Sequence, residues 1–221
     1  MSTHDGERYA SVVLDVDSTL CGIEGIDWLS RKRGPEVASL IAEITERAMR
    51  GEIRLDDVYG ERLATVGPRV EDVDALGNAY IETIAHGARE AISKWQEHGV
   101  RVTLISGGIK RAILHVAEFI GVDARNVNAV DIHFDDNGEY EGFDTASPLT
   151  RDEGKRDVVA GLNLRKPVLA VGDGNTDLAM RGAVETFGAF VGFVARDTVV
   201  ENADVIIRSF QELDEIVLGS G

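Results

Sequence analysis

Cysteine occurs once in these 221 residues, at Cys21, so the chain forms no internal disulfide. A lone thiol beside an apolar strand reads as a small buried side chain. Long apolar runs are missing as well: none approaches the roughly 18 residues of a membrane span. Residues 1–8 lack the basic and apolar regions of a signal peptide, which makes a cytoplasmic location the expectation. Basic clusters are also absent. With a net charge of −16 and no run of Lys and Arg to track a phosphate backbone, nucleic acid is excluded as a partner. Lysine is scarce beside arginine while acidic residues abound, a pattern that base composition or a salty cytoplasm would each produce. No internal repeat or low-complexity linker interrupts the chain.

What remains is ordinary globular composition, 43% hydrophobic and 28% charged, long enough for one large domain or one domain with an insertion. The apolar run Val12-Val13-Leu14 predicts a short buried strand, and the sequence Asp15-Val16-Asp17-Ser18-Thr19 follows it directly. Side chains two apart on a strand point the same way, so Asp15 and Asp17 project side by side beyond its carboxyl end, where open α/β sheets bind ligands. Two charges about 4 Å apart at an effective dielectric of about 20 repel by about 4 kcal/mol, so the pair asks for a cation or a shared proton. A solvated turn or helix cap is the plainer reading of the same residues. A calcium loop is excluded, because its glycine and closing glutamate positions hold Leu20 and Ile26.

Apolar spacing then predicts four helices in a row, over 25–33, 35–50, 55–66 and 71–84, broken at Gly34-Pro35, Gly51 and Gly67-Pro68. From Ala88 the pattern alternates: helix 88–98, strand 102–105, helix 109–120, strand 129–134, helix 153–162, strand 167–171, a short helix from Thr176, strands 188–193 and 204–207, and a closing helix 209–217. Alternation of this kind predicts a Rossmann-like parallel sheet with helices on both faces. Asn137-Gly138 predicts a β-hairpin within it. The helical block 21–85 is then a small bundle inserted after the first strand, and residues 1–20 with 86–221 form the core domain.

Polar residues close two of these strands and open one helix. Strand 102–105 runs into Ser106-Gly107-Gly108, a hydroxyl and glycine amides expected at a helix N-terminus, which is an anion site or a plain turn. Strand 167–171 runs into Gly172-Asp173-Gly174-Asn175-Thr176-Asp177; as a calcium loop it fails at Leu178 and Val184, and as a dinucleotide fingerprint at Asp177. Gly154-Lys155 opens a helix, where a lysine is ordinarily solvated. Together, in this order, these motifs resemble the haloacid dehalogenase superfamily, and within it the branch that hydrolyses O-phosphoserine. The likeness runs from about residue 11 to the C-terminus and extends to Glu24-Gly25-Ile26-Asp27, Arg47-Ala48-Met49, Glu61-Arg62-Leu63 and Asn137-Gly138-Glu139-Tyr140.

The resemblance implies a phosphomonoester hydrolase in which Asp15 is the nucleophile and Asp17 the general acid and base. It implies Mg2+ held by Asp15, Asp173, the backbone carbonyl of Asp17 and, through water or an outer contact, Asp177. Ser106, Gly107, Lys155 and Thr176 would bind the phosphoryl group; at the Thr176 position some members carry Asn and others Thr, and both side chains hydrogen-bond. The helical insertion resembles a cap that selects substrate. There Arg62 falls on the apolar stripe Leu55, Val58, Tyr59, Leu63, Val66, so an inward guanidinium awaits an anion. The resemblance gives it the substrate carboxylate, gives Glu24 the ammonium, and sets Met49 and Leu55 around the bound amino acid, although Glu24 also reads as a first-turn carboxylate and Met49 and Leu55 as core. An arginine left without its carboxylate costs about 3–5 kcal/mol, so O-phosphoserine should be preferred to phosphoethanolamine by about a hundredfold or more. The competing readings are a phosphatase or phosphotransferase for another small ester, such as phosphoethanolamine or phosphohomoserine, and a non-catalytic phosphoamino-acid binding module. A monomer or homodimer is expected.

Overall fold

The computed structural model describes residues 8–219. The stretch read for a signal peptide lies, up to residue 7, outside the described residues. The first strand, β1 (Ser11–Leu14), is buried at every position. That requires cover on both faces, as in a parallel sheet wrapped by helices. Six strands form that sheet: β1, β2 (Arg101–Ile109), β3 (Val127–Val130), β6 (Val168–Gly172), β7 (Thr186–Phe190) and β8 (Val205–Ile207), in the order β3-β2-β1-β6-β7-β8 with every neighbour parallel. The chain leaves β1 to one side for β2 and later returns to its other side for β6. Such a reversal opens a crevice at the strands' carboxyl ends. Leu14 stands opposite Leu104 on one side and Val171 on the other, so Asp15, Ser106 and Asp173 emerge within a residue of the same level.

Between β1 and β2 lie α1 (Gly25–Ser30), α2 (Pro35–Met49), α3 (Leu55–Val66) and α4 (Val70–Glu82). Helix α1 packs against the other three, burying Ile26 and Leu29. Helix α4 turns its stripe Val73, Leu76, Gly77 and Tyr80 inward and lies along α6 (Lys110–Phe119) of the alternating part. The remaining helices are α5 (Ala88–Glu97), α7 (Gly154–Gly161), α8 (Asn175–Leu178), α9 (Asp197–Asn202) and α10 (Phe210–Leu218). No helix among the described residues is long and apolar enough to cross a membrane.

Three expectations need correction. Strand 129–134 is two strands in different sheets: β3 ends at Val130, and Ile132–Phe134 (β4) pairs antiparallel with Tyr140–Phe143 (β5) in a hairpin of its own. Asp131 turns the chain between them, and the apolar residues on both sides hid the break. The Ser106-Gly107-Gly108 stretch is not the first turn of a helix, since β2 runs on to Ile109 with a register shift against β3 between Ile105 and Ile109, and α6 starts only at Lys110. Its amides belong to an irregular strand end. Strand β7 begins two residues earlier than expected and stops at Phe190, and α9 was not foreseen because its six residues carry no more than one buried side chain, Val199.

Candidate active site

The carboxyl edge of the sheet gathers the polar ends. The amide of Asp15 donates to Val171 O (3.0 Å), so the ladder extends through Asp15 before the chain turns away. The turn carries Ser18 at φ 54°, left-handed backbone that costs a non-glycine residue about 1–3 kcal/mol, a cost often met where a site needs it. The Ser18 hydroxyl then donates to Glu24 Oε1 (2.8 Å). From β6, Asp173 leaves the strand and the short α8 folds Asp177 back against Gly172, where a Cβ would sit 2.2 Å from the carboxyl carbon of Asp177. The absence of a side chain at Gly172 is what lets Asp177 reach the strand end.

Carboxylate oxygens of Asp15, Asp173 and Asp177, all buried, lie within 4.8 Å of one another. Lys155, 5% exposed at the start of α7, donates to Asp15 Oδ1 (2.6 Å) and Asp177 Oδ1 (2.5 Å). Burial alone would lower the lysine's pKa, but the two carboxylates more than offset this and raise it, so the ammonium stays charged. Asp15 is pushed well above the usual carboxylate range, first by burial and then by Asp177, with Lys155 opposing. One ammonium does not neutralise three carboxylates. Arg196, 6% exposed, supplies a second cation: it pairs with Asp173 and reaches Glu46 (3.3 Å) and Glu24 (3.9 Å).

Asp17 is engaged differently. Its Oδ1 accepts from the Gly25 amide (2.6 Å) and the Tyr80 hydroxyl (2.7 Å), and its Oδ2 accepts from Ser106 Oγ (3.0 Å), which itself accepts from the Gly108 amide (2.8 Å). Its carboxylate is therefore outside the three-carboxylate group. Across the crevice, Tyr59 of α3 donates to Gly107 O (2.8 Å), the Leu55 amide donates to Asp152 Oδ1 (2.7 Å), and the Met49 side chain packs on Gly174. These contacts close the helical block over the sheet edge. The enclosed pocket, about 560 Å3 and open in part to solvent, is lined by all of Asp15, Asp17, Glu24, Met49, Leu55, Arg62, Ser106, Gly107, Lys155, Asp173, Thr176 and Asp177.

The chain as a whole can now be placed. The family model of haloacid dehalogenase-like hydrolases matches residues 12–181. A phosphoserine phosphatase from Rattus norvegicus is 38% identical over 206 residues, spanning 92% of this chain and 91% of that protein. The chain belongs to the phosphoserine phosphatase family of the haloacid dehalogenase-like hydrolases. The chloroplastic phosphoserine phosphatase of Arabidopsis thaliana is 34% identical, with 92% of this chain and 70% of that one covered. A solved structure described as a phospho-aspartyl intermediate analogue of phosphoserine phosphatase superposes with a TM-score of 0.75 at 27% identity, covering 92% of this chain and 95% of the other. As a member of this family the chain is an enzyme, a phosphatase, and its sheet with inserted helices is the family's architecture.

In this phosphoserine phosphatase family member, Arg62 is 4% exposed and does not wait unpaired for a ligand. Its Nη2 donates to Thr45 Oγ1 (2.5 Å) and reaches Asp27 Oδ1 (3.3 Å), while its buried Nε has no protein partner. Burial raises the Asp27 pKa, with Thr45 and Arg62 opposing. Glu24 is pushed up to about 7 by burial and by the charges of Asp17 and Asp27, against the pull of Ser18 and Arg196. Sequence reasoning missed Asp27, Thr45, Tyr59, Tyr80 and Arg196 as parts of the site. Tyr59 and Tyr80 lie on apolar stripes and read as core, and Arg196 stands after Phe193-Val194-Ala195 in a segment with no periodicity. Asp27 was visible in Glu24-Gly25-Ile26-Asp27, but without a partner in view it carried no role.

Proposed function

We propose that this enzyme hydrolyses O-phospho-L-serine to L-serine and phosphate, carrying the phosphoryl group on Asp15 and working with Mg2+. The observation that carries the reading is a single pocket holding both the Asp15–Lys155–Asp177–Asp173 cluster and the pair Arg62 and Glu24. The names of the similar proteins support the substrate, and the aspartyl intermediate analogue of a similar structure supports the covalent route. Three buried carboxylates against Lys155 and Arg196 leave room for a further cation, and an all-oxygen donor set suits Mg2+. Asp15, Asp173 and the Asp17 carbonyl would hold it, with Asp177 in support; bound there, it would offset the carboxylate charge and polarise a phosphoryl oxygen.

The protein's own groups divide the chemistry. Asp15 attacks phosphorus as its ester bond to the serine oxygen breaks, and Asp17 passes its proton to that oxygen. In the second half Asp17 takes a proton from the attacking water, the bond between Asp15 and phosphorus breaks, and phosphate leaves. Ser106, the Gly107 amide, Thr176 and Lys155 bind the phosphoryl oxygens. Residues 21–85 select the substrate as a cap on the core of residues 1–20 and 86–221: Arg62 meets its carboxylate through Nε and the free edge of the guanidinium, Glu24 meets its ammonium, and Met49 and Leu55 pack around its carbon atoms.

Phosphate release from O-phosphoserine, phosphoethanolamine and 3-phosphoglycerate tests this. With Mg2+ the expected order places O-phosphoserine first by about tenfold or more in kcat/KM over phosphoethanolamine, and chelator abolishes all three. Arg62→Ala should erase the preference chiefly by impairing O-phosphoserine. Activity that survives exhaustive chelation contradicts the metal, and an unchanged ester ratio in Arg62→Ala contradicts the substrate assignment.

A further inference from the structure

Tyr80 lies in the helical block, yet its hydroxyl ends at the acid of the core. It is fully buried on α4 and donates to Asp17 Oδ1 at 2.7 Å; among the described residues that hydroxyl has no other acceptor. The Gly25 amide donates to the same oxygen at 2.6 Å. An amide can only donate, and the tyrosine's proton has nowhere else to go, so Oδ1 is committed as an acceptor of two hydrogen bonds. The geometry allows no bulk at Gly25, where a Cβ would stand 2.2 Å from the Tyr80 hydroxyl. Helix α4 is itself fixed to the core: Arg111 of α6 grips Asp74 through a two-pronged pair (2.6 and 2.9 Å), and Gly77 lies against His115.

We infer that Tyr80 is a positioning residue for the chemical step: with the Gly25 amide it locks Asp17 Oδ1, so that the carboxyl's proton is carried on Oδ2, beside Ser106 and facing the leaving oxygen. Ser106 Oγ donates to Oδ2 at 3.0 Å, on the side where the phosphoryl group is placed; that hydroxyl is free to turn to a phosphoryl oxygen and release Oδ2, whereas the Gly25 amide and the Tyr80 hydroxyl have no other acceptor among the described residues. In the step served, the Oδ2–H bond breaks as the ester bond between phosphorus and the serine oxygen breaks. The ester electron pair stays on the serine oxygen and takes the proton, and Asp15 forms the new bond to phosphorus. Without Tyr80 the carboxyl has one anchor fewer, and its proton and orientation are shared between two oxygens. An acid held off its productive geometry loses much of its effect.

This inference rests on the reading of Asp17 as the general acid, and a comparison of leaving groups separates the two. Serine's alkoxide needs a proton to leave, whereas acetyl phosphate releases a carboxylate that does not. Because kcat/KM covers only the steps up to loss of the first product, it isolates acid catalysis from later hydrolysis of the phosphorylated enzyme. Tyr80→Phe should lower kcat/KM for O-phosphoserine by about tenfold or more and for acetyl phosphate by about twofold at most. The acetyl phosphate reaction also reports that Asp15, Lys155 and the fold are intact. Asp17→Asn should show the same asymmetry, larger. If Asp17→Asn impairs both substrates equally, the reading of Asp17 fails. If Asp17→Asn is asymmetric while Tyr80→Phe and Tyr80→Leu each lose equally on both substrates, or lose on neither, Tyr80 serves packing alone and the inference is overturned.

Discussion

Glu24 shows how far a single side chain's chemistry depends on its surroundings. Its ordinary pKa of 4.5 is raised to about 7 by burial and by Asp17 and Asp27. A carboxyl that binds its proton more tightly when folded contributes stability that is complete below about 4.5 and is lost as pH rises through about 7. In chelator, wild type should therefore lose stability relative to Glu24→Gln between pH 5 and 8, and the Tm of the two proteins across that range measures it. A gap that stays constant with pH would show that Glu24 titrates normally. The same carboxylate at pH 7 and above is the charge proposed to meet the substrate ammonium, so stability is given up where binding needs it. Arg62 teaches the complementary lesson. Its position on an apolar stripe made its burial legible in the sequence, but its partner was not, because Asp27 and Thr45 lie 35 and 17 residues away and only folding brings them together. With Asp27 already beside it, losing the substrate carboxylate does not leave the guanidinium wholly unpaired, which is why the expected selectivity falls from about a hundredfold to about tenfold.

At the scale of elements, periodicity located nearly every helix and strand, since most bury one face and the apolar spacing follows directly. It failed where burial is slight, as in α9, and where apolar residues continue across a change of partner, as from β3 to β4. The α4–α6 contact was also invisible, although Gly77 marks it. A methyl at Gly77 would sit 2.6 Å from the His115 ring, so Gly77→Ala should destabilise by about 1 kcal/mol, overpacking outweighing alanine's better helix propensity. In a His115→Ala background the ring contacts are gone but the Cβ of residue 115 still stands 2.9 Å from the added methyl, so the same substitution should cost clearly less than in wild type without reversing sign. Equilibrium unfolding of the four proteins checks this. Simple additivity would mean that the two helices do not touch at this point.

On the scale of the molecule, the sheet order brings three chain-distant strand ends to one edge, and the helical block closes over it. This is why the site was more legible than the contacts around it. The residues at strand ends follow from local sequence, and a parallel sheet leaves them one place to converge. The supporting groups Tyr80 and Tyr59 depend on how the block docks, and Arg196 on how the loop after β7 returns to Asp173, neither of which a local pattern encodes. In a protein of net charge −16 the cluster of Asp15, Asp173 and Asp177 adds further negative charge at that edge, and the anionic substrate reaches it only through placed cations. The central claim is that the phosphoryl group passes through Asp15. Enzyme mixed with O-phosphoserine and Mg2+, quenched in acid within one turnover and digested, should yield the peptide containing Asp15 heavier by one phosphoryl group, a species that decays in untreated enzyme as free phosphate appears. The species should be absent from Asp15→Asn. Serine release at the wild-type rate in Asp15→Asn, or a phosphorylated peptide that lacks residue 15, would contradict it.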